Sequence, residues 1–414
     1  MNAFSAKHTL RGKPCGAAPR RLARGLGLAI VALIGWERAC VAAEVIPVAG
    51  ESFSAALIAV DATWQVTLET DAEQKRLPAA GLVRWGHPAE VDQAAQIVMA
   101  GGGIIAVSEL EILRADQDRL SVQSLNYGSL SLPIDRLAAV IFKPPADPAQ
   151  RLELIDRLLA TDDETDRALL VNGDVITGIM KRMNARTVAF DAKVGPVDLD
   201  RRQLVALAFN PALINPPRHT GLRSLVGLED GTRVIAESMT LNQAKAEIHL
   251  TDKLTLEAAP ESVVWLQPLG GRCVYLSDLE PLGYRHIPFL ELAWNYRRDR
   301  NAGGGPLACG DRQVAKGLGM HSASRITYAV EKGARRFRAR VGVDDSTEKR
   351  GSVTFRVYVD GDLRYSSPMV RGGDHPLDVS VEVAGARRLS LLVHFGDRGD
   401  ELDYADWLDA RFER

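Results

Sequence analysis

Val353-Thr354-Phe355-Arg356-Val357-Tyr358-Val359-Asp360-Gly361-Asp362-Leu363-Arg364-Tyr365 decides how the last third of this chain folds. Apolar side chains at 353, 355, 357 and 359 alternate with Thr354, Arg356 and Tyr358, the period of a strand with one buried face. Asp360-Gly361 supplies the left-handed residues of a tight hairpin and sends the chain back along Leu363-Arg364-Tyr365. The same alternation recurs outward from it. Ile326, Tyr328 and Val330 mark one strand, and Phe337, Ala339, Val341 and Val343 another. Leu377, Val379 and Val381, then Leu389, Leu391 and Val393, mark two more. Several strands with one apolar face each call for two antiparallel sheets packed face to face.

Around these strands stand three further landmarks: Lys316-Gly317-Leu318-Gly319-Met320-His321-Ser322-Ala323-Ser324, Phe337 to Asp345, and the closing Tyr404-Ala405-Asp406-Trp407-Leu408-Asp409-Ala410-Arg411-Phe412. In this order they resemble the NPCBM/NEW2 family of carbohydrate-binding modules, jelly-roll domains often found beside glycoside hydrolases. The resemblance runs through residues 284–414. It implies a sugar-binding β-sandwich and not a catalyst, and galactose-type or related glycans as ligand. The family typically has His where this chain has Tyr404; where that position touches ligand or supports a metal, specificity or affinity differs from the family's.

Sugar recognition needs an aromatic face for the C–H side of the ring and polar heads for its hydroxyls. Trp294, Arg300, Asn301, His321 and Asp397 are the candidate carbohydrate-binding residues. Competing readings stand beside them. His321 serves equally well as a buried, hydrogen-bonded histidine. Trp407, between aliphatic neighbours, reads as a core plug, and Asp344-Asp345 as a turn. Some sugar-binding jelly rolls of this kind hold a structural calcium ion, which the resemblance extends to Asp403 and Asp406, with Asp345 behind them.

The stretch 44–283 reads as four copies of one β pattern. The clearest runs Leu169-Leu170-Val171-Asn172-Gly173-Asp174-Val175-Ile176, then Thr187 to Phe190, Gly195 to Leu199 and Leu204 to Phe209. Others start at Leu228-Glu229-Asp230-Gly231, at Gly103-Ile104-Ile105 and, most worn, at Ala56-Leu57-Ile58. Three copies end in an apolar strand followed by Pro144, Pro211 or Pro268, read as strand stops. In turn and rhythm, though not in any chemical motif, the copies resemble Sm-like small barrels. Each is too small to bury much surface alone, so neighbours are expected to share a core. One helix interrupts them. Asp147 caps it, Pro148 suits its first turn, and Leu152, Ile155, Leu158 and Leu159 share a face. The fold class is therefore all-β: an array of small barrel-like repeats (44–146 and 168–283, with a helical linker at 147–167), then a jelly roll at 284–414.

A basic start (Lys7, Arg11, Lys13, Arg20, Arg21, Arg24), an apolar run at 26–36 and Val41-Ala42-Ala43 read as a secretory leader over 1–43, with a retained anchor as the alternative, the apolar run being too short for an ordinary membrane span. Removing its seven Lys/Arg and one Glu from 51 and 53 leaves 44 basic and 52 acidic residues, a net of −8. Such a chain repels nucleic-acid phosphate. The expected location is secreted or in the cell envelope, with no membrane span in the mature chain. Cys273 and Cys309 survive the leader and are a disulfide candidate in an oxidising compartment, with two separate buried thiols the equal alternative, since sequence does not show whether the sulfurs meet. The sequence holds no G-x-S-x-G, H-E-x-x-H, P-loop or dinucleotide fingerprint. The expectation is a non-catalytic protein that binds envelope or extracellular glycans. The alternative is an envelope scaffold whose jelly roll and repeats bind other envelope proteins.

Overall fold

The computed structural model describes residues 42–90, 94–107, 111–115, 119–124, 127–160, 164–217, 220–251, 254–288, 291–397 and 399–414. Residues 1–41 of the expected leader, and Asp162 and Asp163 of the acidic stretch Asp162-Asp163-Glu164-Thr165-Asp166, lie outside the described residues.

The third repeat shows how the sequence makes its unit. Strand Asp166–Leu170 ends in the Asn172-Gly173 turn, where Gly173 takes φ +90° and the Asn172 side chain accepts from the Asp174 amide. Strands Val175–Met183, Thr187–Ala192 and Gly195–Asp200 follow as an antiparallel meander. Asp200 caps a single turn at Arg201–Gln203. Strand Leu204–Ala208 then returns to pair with Asp166–Leu170 and closes the unit.

The other three repeats use the same order. The first runs from Ala43–Pro47 to a closing strand Leu82–Gly86, and the second from Ala95–Met99 to Leu137–Ile141. The fourth runs from Arg223–Leu228 to Val263–Leu269. Pro268 does not stop that last strand. It lies inside it, opposite Ser224. Closing strands also pair between units: Val140 lies opposite Leu207, joining the second unit to the third, and Leu266 lies opposite Trp85, joining the fourth to the first. One apolar cluster threads all four units, including Leu57, Ile105, Phe190 and Ile248.

Each pair of closing strands leaves an outer apolar face, and each face is covered. Over the second and third units lies the helix Pro148–Leu159, capped by Asp147 through the Gln150 amide. It buries Leu154, Ile155 and Leu158 against Val98, Ala139, Ile141 and Ala206. Leu159, expected on that face, is exposed, and Leu154 takes the buried position. A helix turns 100° per residue, so the buried stripe falls on 151, 154, 155 and 158. Over the first and fourth units lies the C-terminal module, whose Cys273 and Tyr275 pack on Val48, Val83 and Leu269.

The module is a β-sandwich. One sheet runs Arg297–Arg298, Gly317–His321, Tyr404–Glu413, Arg336–Val343, Leu377–Glu382. The other runs Gly283–His286, Ser324–Ala329, Arg388–Phe395, Ser352–Val359, Asp362–Ser366. Strand Cys273–Tyr275 pairs with Tyr404–Glu413, so the module's first sheet gains a strand ahead of residue 284. Trp407 is fully buried between Phe337 and Phe355.

Charge fastens module to repeats. Arg84, 1% exposed, reaches Asp409 (3.3 Å), Glu44 (2.8 Å) and the Gly86 carbonyl (2.7 Å). Gln267 donates to the other Asp409 oxygen, and His87, Arg312 and Arg340 surround Glu44. The His87 hydrogen bond and the Arg84 and Arg340 guanidiniums hold the Glu44 carboxyl well below the usual range, against the opposing effect of burial.

Candidate functional site

The best-formed polar–aromatic constellation lies at the end of the module where strands Gly283–His286, Gly317–His321 and Tyr404–Glu413 begin or end. His321 is 2% exposed, and the half-buried Trp294 ring stacks on it at 4.5 Å with 5° between planes. Tyr404 stands 5.6 Å from Trp294, and His286 meets His321 edge-on at 6.0 Å. The backbone holds the indole in place. The Trp294 amide donates to His286 Nδ1 (3.1 Å), and Tyr284 donates its hydroxyl to the Trp294 carbonyl (2.7 Å). The result is an aromatic shelf whose orientation is fixed from below, with Asp400 near enough to both histidines to act on their charge. Burial pushes His321 down to about 4, opposed by Asp400 and helped by His286. It is neutral near pH 7 and can stack without carrying charge.

Trp294 and His321 are thus brought together, while the other expected sugar ligands are used elsewhere. Asn301 is 2% exposed and organises its own loop. It donates to the Pro306 carbonyl and to Asp344 and accepts from the Gly305 amide. Its loop lies flat on the sheet because Gly319 is beneath it; a Cβ there would stand 2.3 Å from the Arg300 carbonyl. Arg300 turns toward the helix and forms a two-pronged pair with Asp156. Asp397 is exposed and pairs with Arg371 at 2.7 Å. His286, Tyr284, Tyr404 and Asp400 complete the shelf. Of these, Tyr404 stands out in sequence as a departure from its family pattern, and Asp400 as a polar head in a Gly-rich loop. The others sit in ordinary strand and loop contexts.

The expected disulfide is not formed: Cys273 and Cys309 are free, buried thiols. Cys273 pairs opposite Glu413, whereas Cys309 sits over Asp406, seven residues back along the same strand. At about 3.3 Å per residue this separates them by roughly 20 Å, far beyond disulfide reach. Cys309 packs with Leu307, Val314 and Leu408, and burial pushes its thiol well up.

The three carboxylates considered for calcium serve different partners. Asp345 accepts from the Gly310 and Asp311 amides, and Asp403 from the Ser352 amide. Asp406 is wholly buried beside Cys309 and Asp344, and desolvation followed by the Asp344 charge raises it well above the usual range. Desolvation raises Asp403 to about 6. Among the described residues no three His, Cys, Asp or Glu side chains are grouped to hold a metal.

Residues 272–413 match the NPCBM/NEW2 domain, the family of carbohydrate-binding modules that the landmarks resemble. Two curated relatives are similar over part of the chain. A protein of Renibacterium salmoninarum bearing the provisional name endo-alpha-N-acetylgalactosaminidase is 35% identical over 109 residues, 26% of this chain and 7% of that protein. Alpha-1,3-galactosidase B of Akkermansia muciniphila is 33% identical over 121 residues, 28% of this chain and 15% of that protein. The match therefore spans a small fraction of either relative's length. Among solved structures, CBM51 of Clostridium perfringens GH95 in complex with methyl-galactose is 27% identical, covering 34% of this chain and 99% of that one, with a TM-score of 0.31.

Proposed function

We propose that this is an exported, non-catalytic protein that recognises envelope or extracellular glycans through its C-terminal module. The observation that carries the reading is the Trp294 shelf. A half-buried indole stacks on His321, its backbone anchored by Tyr284 and His286, with Tyr404 and Asp400 around it. An oriented ring face beside hydrogen-bonding heads is what a pyranose requires. Placement supports the reading too. The module meets the repeats through Asp409, Arg312 and Gln313, whereas the ring and hydrogen-bond partners of Trp294 all belong to the module. The names of both curated relatives refer to galactose-type sugars, and galactose-type glycans are the ligand class proposed here.

A single shallow sugar site binds on the order of 0.1–1 mM, or about −4 to −5.5 kcal/mol. Calorimetry of the whole chain against neutral mono- and oligosaccharides, galactosides included, tests this. Heat of binding that Trp294→Ala abolishes is the expected result. No heat from any sugar, with the protein folded, refutes it and leaves the protein-scaffold reading.

A further inference from the structure

Away from the shelf, a cavity of about 220 Å³ lies where repeats, helix and module meet. Its walls include Ile104 of the second unit, Arg233 of the fourth, Pro148 and Arg151 of the helix, and Pro306 and Gln313 of the module. Three enclosed arginines elsewhere are matched with carboxylates: Arg84 with Glu44 and Asp409, Arg300 with Asp156, Arg411 with Glu413. Arg233 breaks that pattern. It makes no hydrogen bond or ion pair among the described residues. Its register opposite Ile104 fixes it at the seam between two units.

The surroundings are positive. Burial first, then the charges of Arg300 and Arg151, work against its ionisation, and Asp299 alone opposes them. Asp299 is already engaged by Lys316 and the Gly317 amide. Asp156 is engaged by Arg300, and Asp147 by the start of the helix. Glu90 stands exposed at the rim, 3.5 Å from the Gln313 amide. An unmatched guanidinium in a recess, next to Arg151 and the first turn of a twelve-residue helix, lacks only its anion.

We infer that this cavity is an oxyanion-binding site, with Arg233 as the principal ligand and Arg151 and Gln313 at its sides. The volume is below the roughly 300–1,000 Å³ of drug-sized pockets. It suits a sulfate, a phosphate or the charged substituent of one acidic sugar. Because the site is separate from the Trp294 shelf, it stands or falls independently of neutral-sugar binding.

The test uses the whole chain in thermal unfolding and calorimetry. Sodium sulfate and sodium phosphate are compared with sodium chloride at equal ionic strength, for wild type and Arg233→Gln. Salting-out stabilisation acts on both proteins alike. The expected result is an extra rise in melting temperature for the wild type, and binding at least about tenfold weaker in the variant. In chloride alone Arg233→Gln should melt no lower than wild type, since it removes a repelled charge. Galactose-6-sulfate and galacturonate, set against galactose, separate the sources. A response to these beyond inorganic sulfate marks a charged glycan as the ligand, and an equal response marks a free ion. Trp294→Ala should retain the anion response. Equal responses of wild type and Arg233→Gln to every anion overturn the inference.

Discussion

His321 sets the acid sensitivity of the shelf. Its folded value of about 4 lies below the ordinary 6.5, so between those limits the unfolded chain takes up a proton that the native state refuses. The contribution to stability is full above pH 6.5 and is lost as pH falls toward 4. His321→Gln should flatten the stability–pH curve in that window, as read by urea unfolding from pH 4 to 7. An unchanged slope places the titration elsewhere. The thiols give a second prediction at this scale. Unfolded under non-reducing conditions, Cys273 and Cys309 should both take an alkylating label. The family landmarks made His321 visible in sequence, but nothing local revealed that its partner would be Trp294, nor that Asn301 would turn inward. Those outcomes depend on a loop folding back across a sheet, which strand periodicity does not encode.

At the scale of elements, Gly319 controls how that loop lies. It pairs opposite Asp406, and a side chain there would strike the backbone of Arg300 and Asn301 at 2.3–2.6 Å. Gly319→Val should cost about 1–3 kcal/mol or more in chemical unfolding and should also loosen the Arg300–Asp156 pair. A value within a few tenths of wild type would mean the loop moves aside freely. Most strands of the module are legible because they alternate; Gly317–His321 and Tyr404–Glu413, buried along nearly their whole length, do not. In the repeats, Ala43–Pro47 and the exposed Gln74–Pro78 escaped the reading, since Gln74-Lys75-Arg76 carries no apolar stripe. The helix is legible from its cap and period, yet its buried stripe takes in Leu154 in place of Leu159, because Leu152, Leu154, Leu158 and Leu159 offer two faces of similar apolarity.

The whole molecule is organised by what covers two pairs of closing strands, one by the helix and the other by the module. Sequence predicted repeats and module separately. It gave no sign of Arg84, whose neighbours Val83 and Trp85 look like any apolar strand. Arg84→Ala leaves Asp409 buried without its cation and should destabilise the protein by about 3–5 kcal/mol. Arg84→Met, with Asp409 changed to Leu as well, should recover much of that. Guanidinium-chloride unfolding of the three variants measures it, and a harmless Arg84→Ala would show the contact to be dispensable.

The Arg84–Asp409 contact also has a consequence in time. The two residues are 325 positions apart in the chain. At a synthesis rate of about 5–20 residues per second, Asp409 follows Arg84 by roughly 15–65 s. For that interval the first repeat carries a cation with half its counter-charge, and its apolar face at Val48 and Val83 stays open until Cys273 and Tyr275 have been made. The first repeat is therefore exposed early in synthesis, and the last strand made, Tyr404–Glu413, brings Asp409 to Arg84 and pairs with the covering strand Cys273–Tyr275.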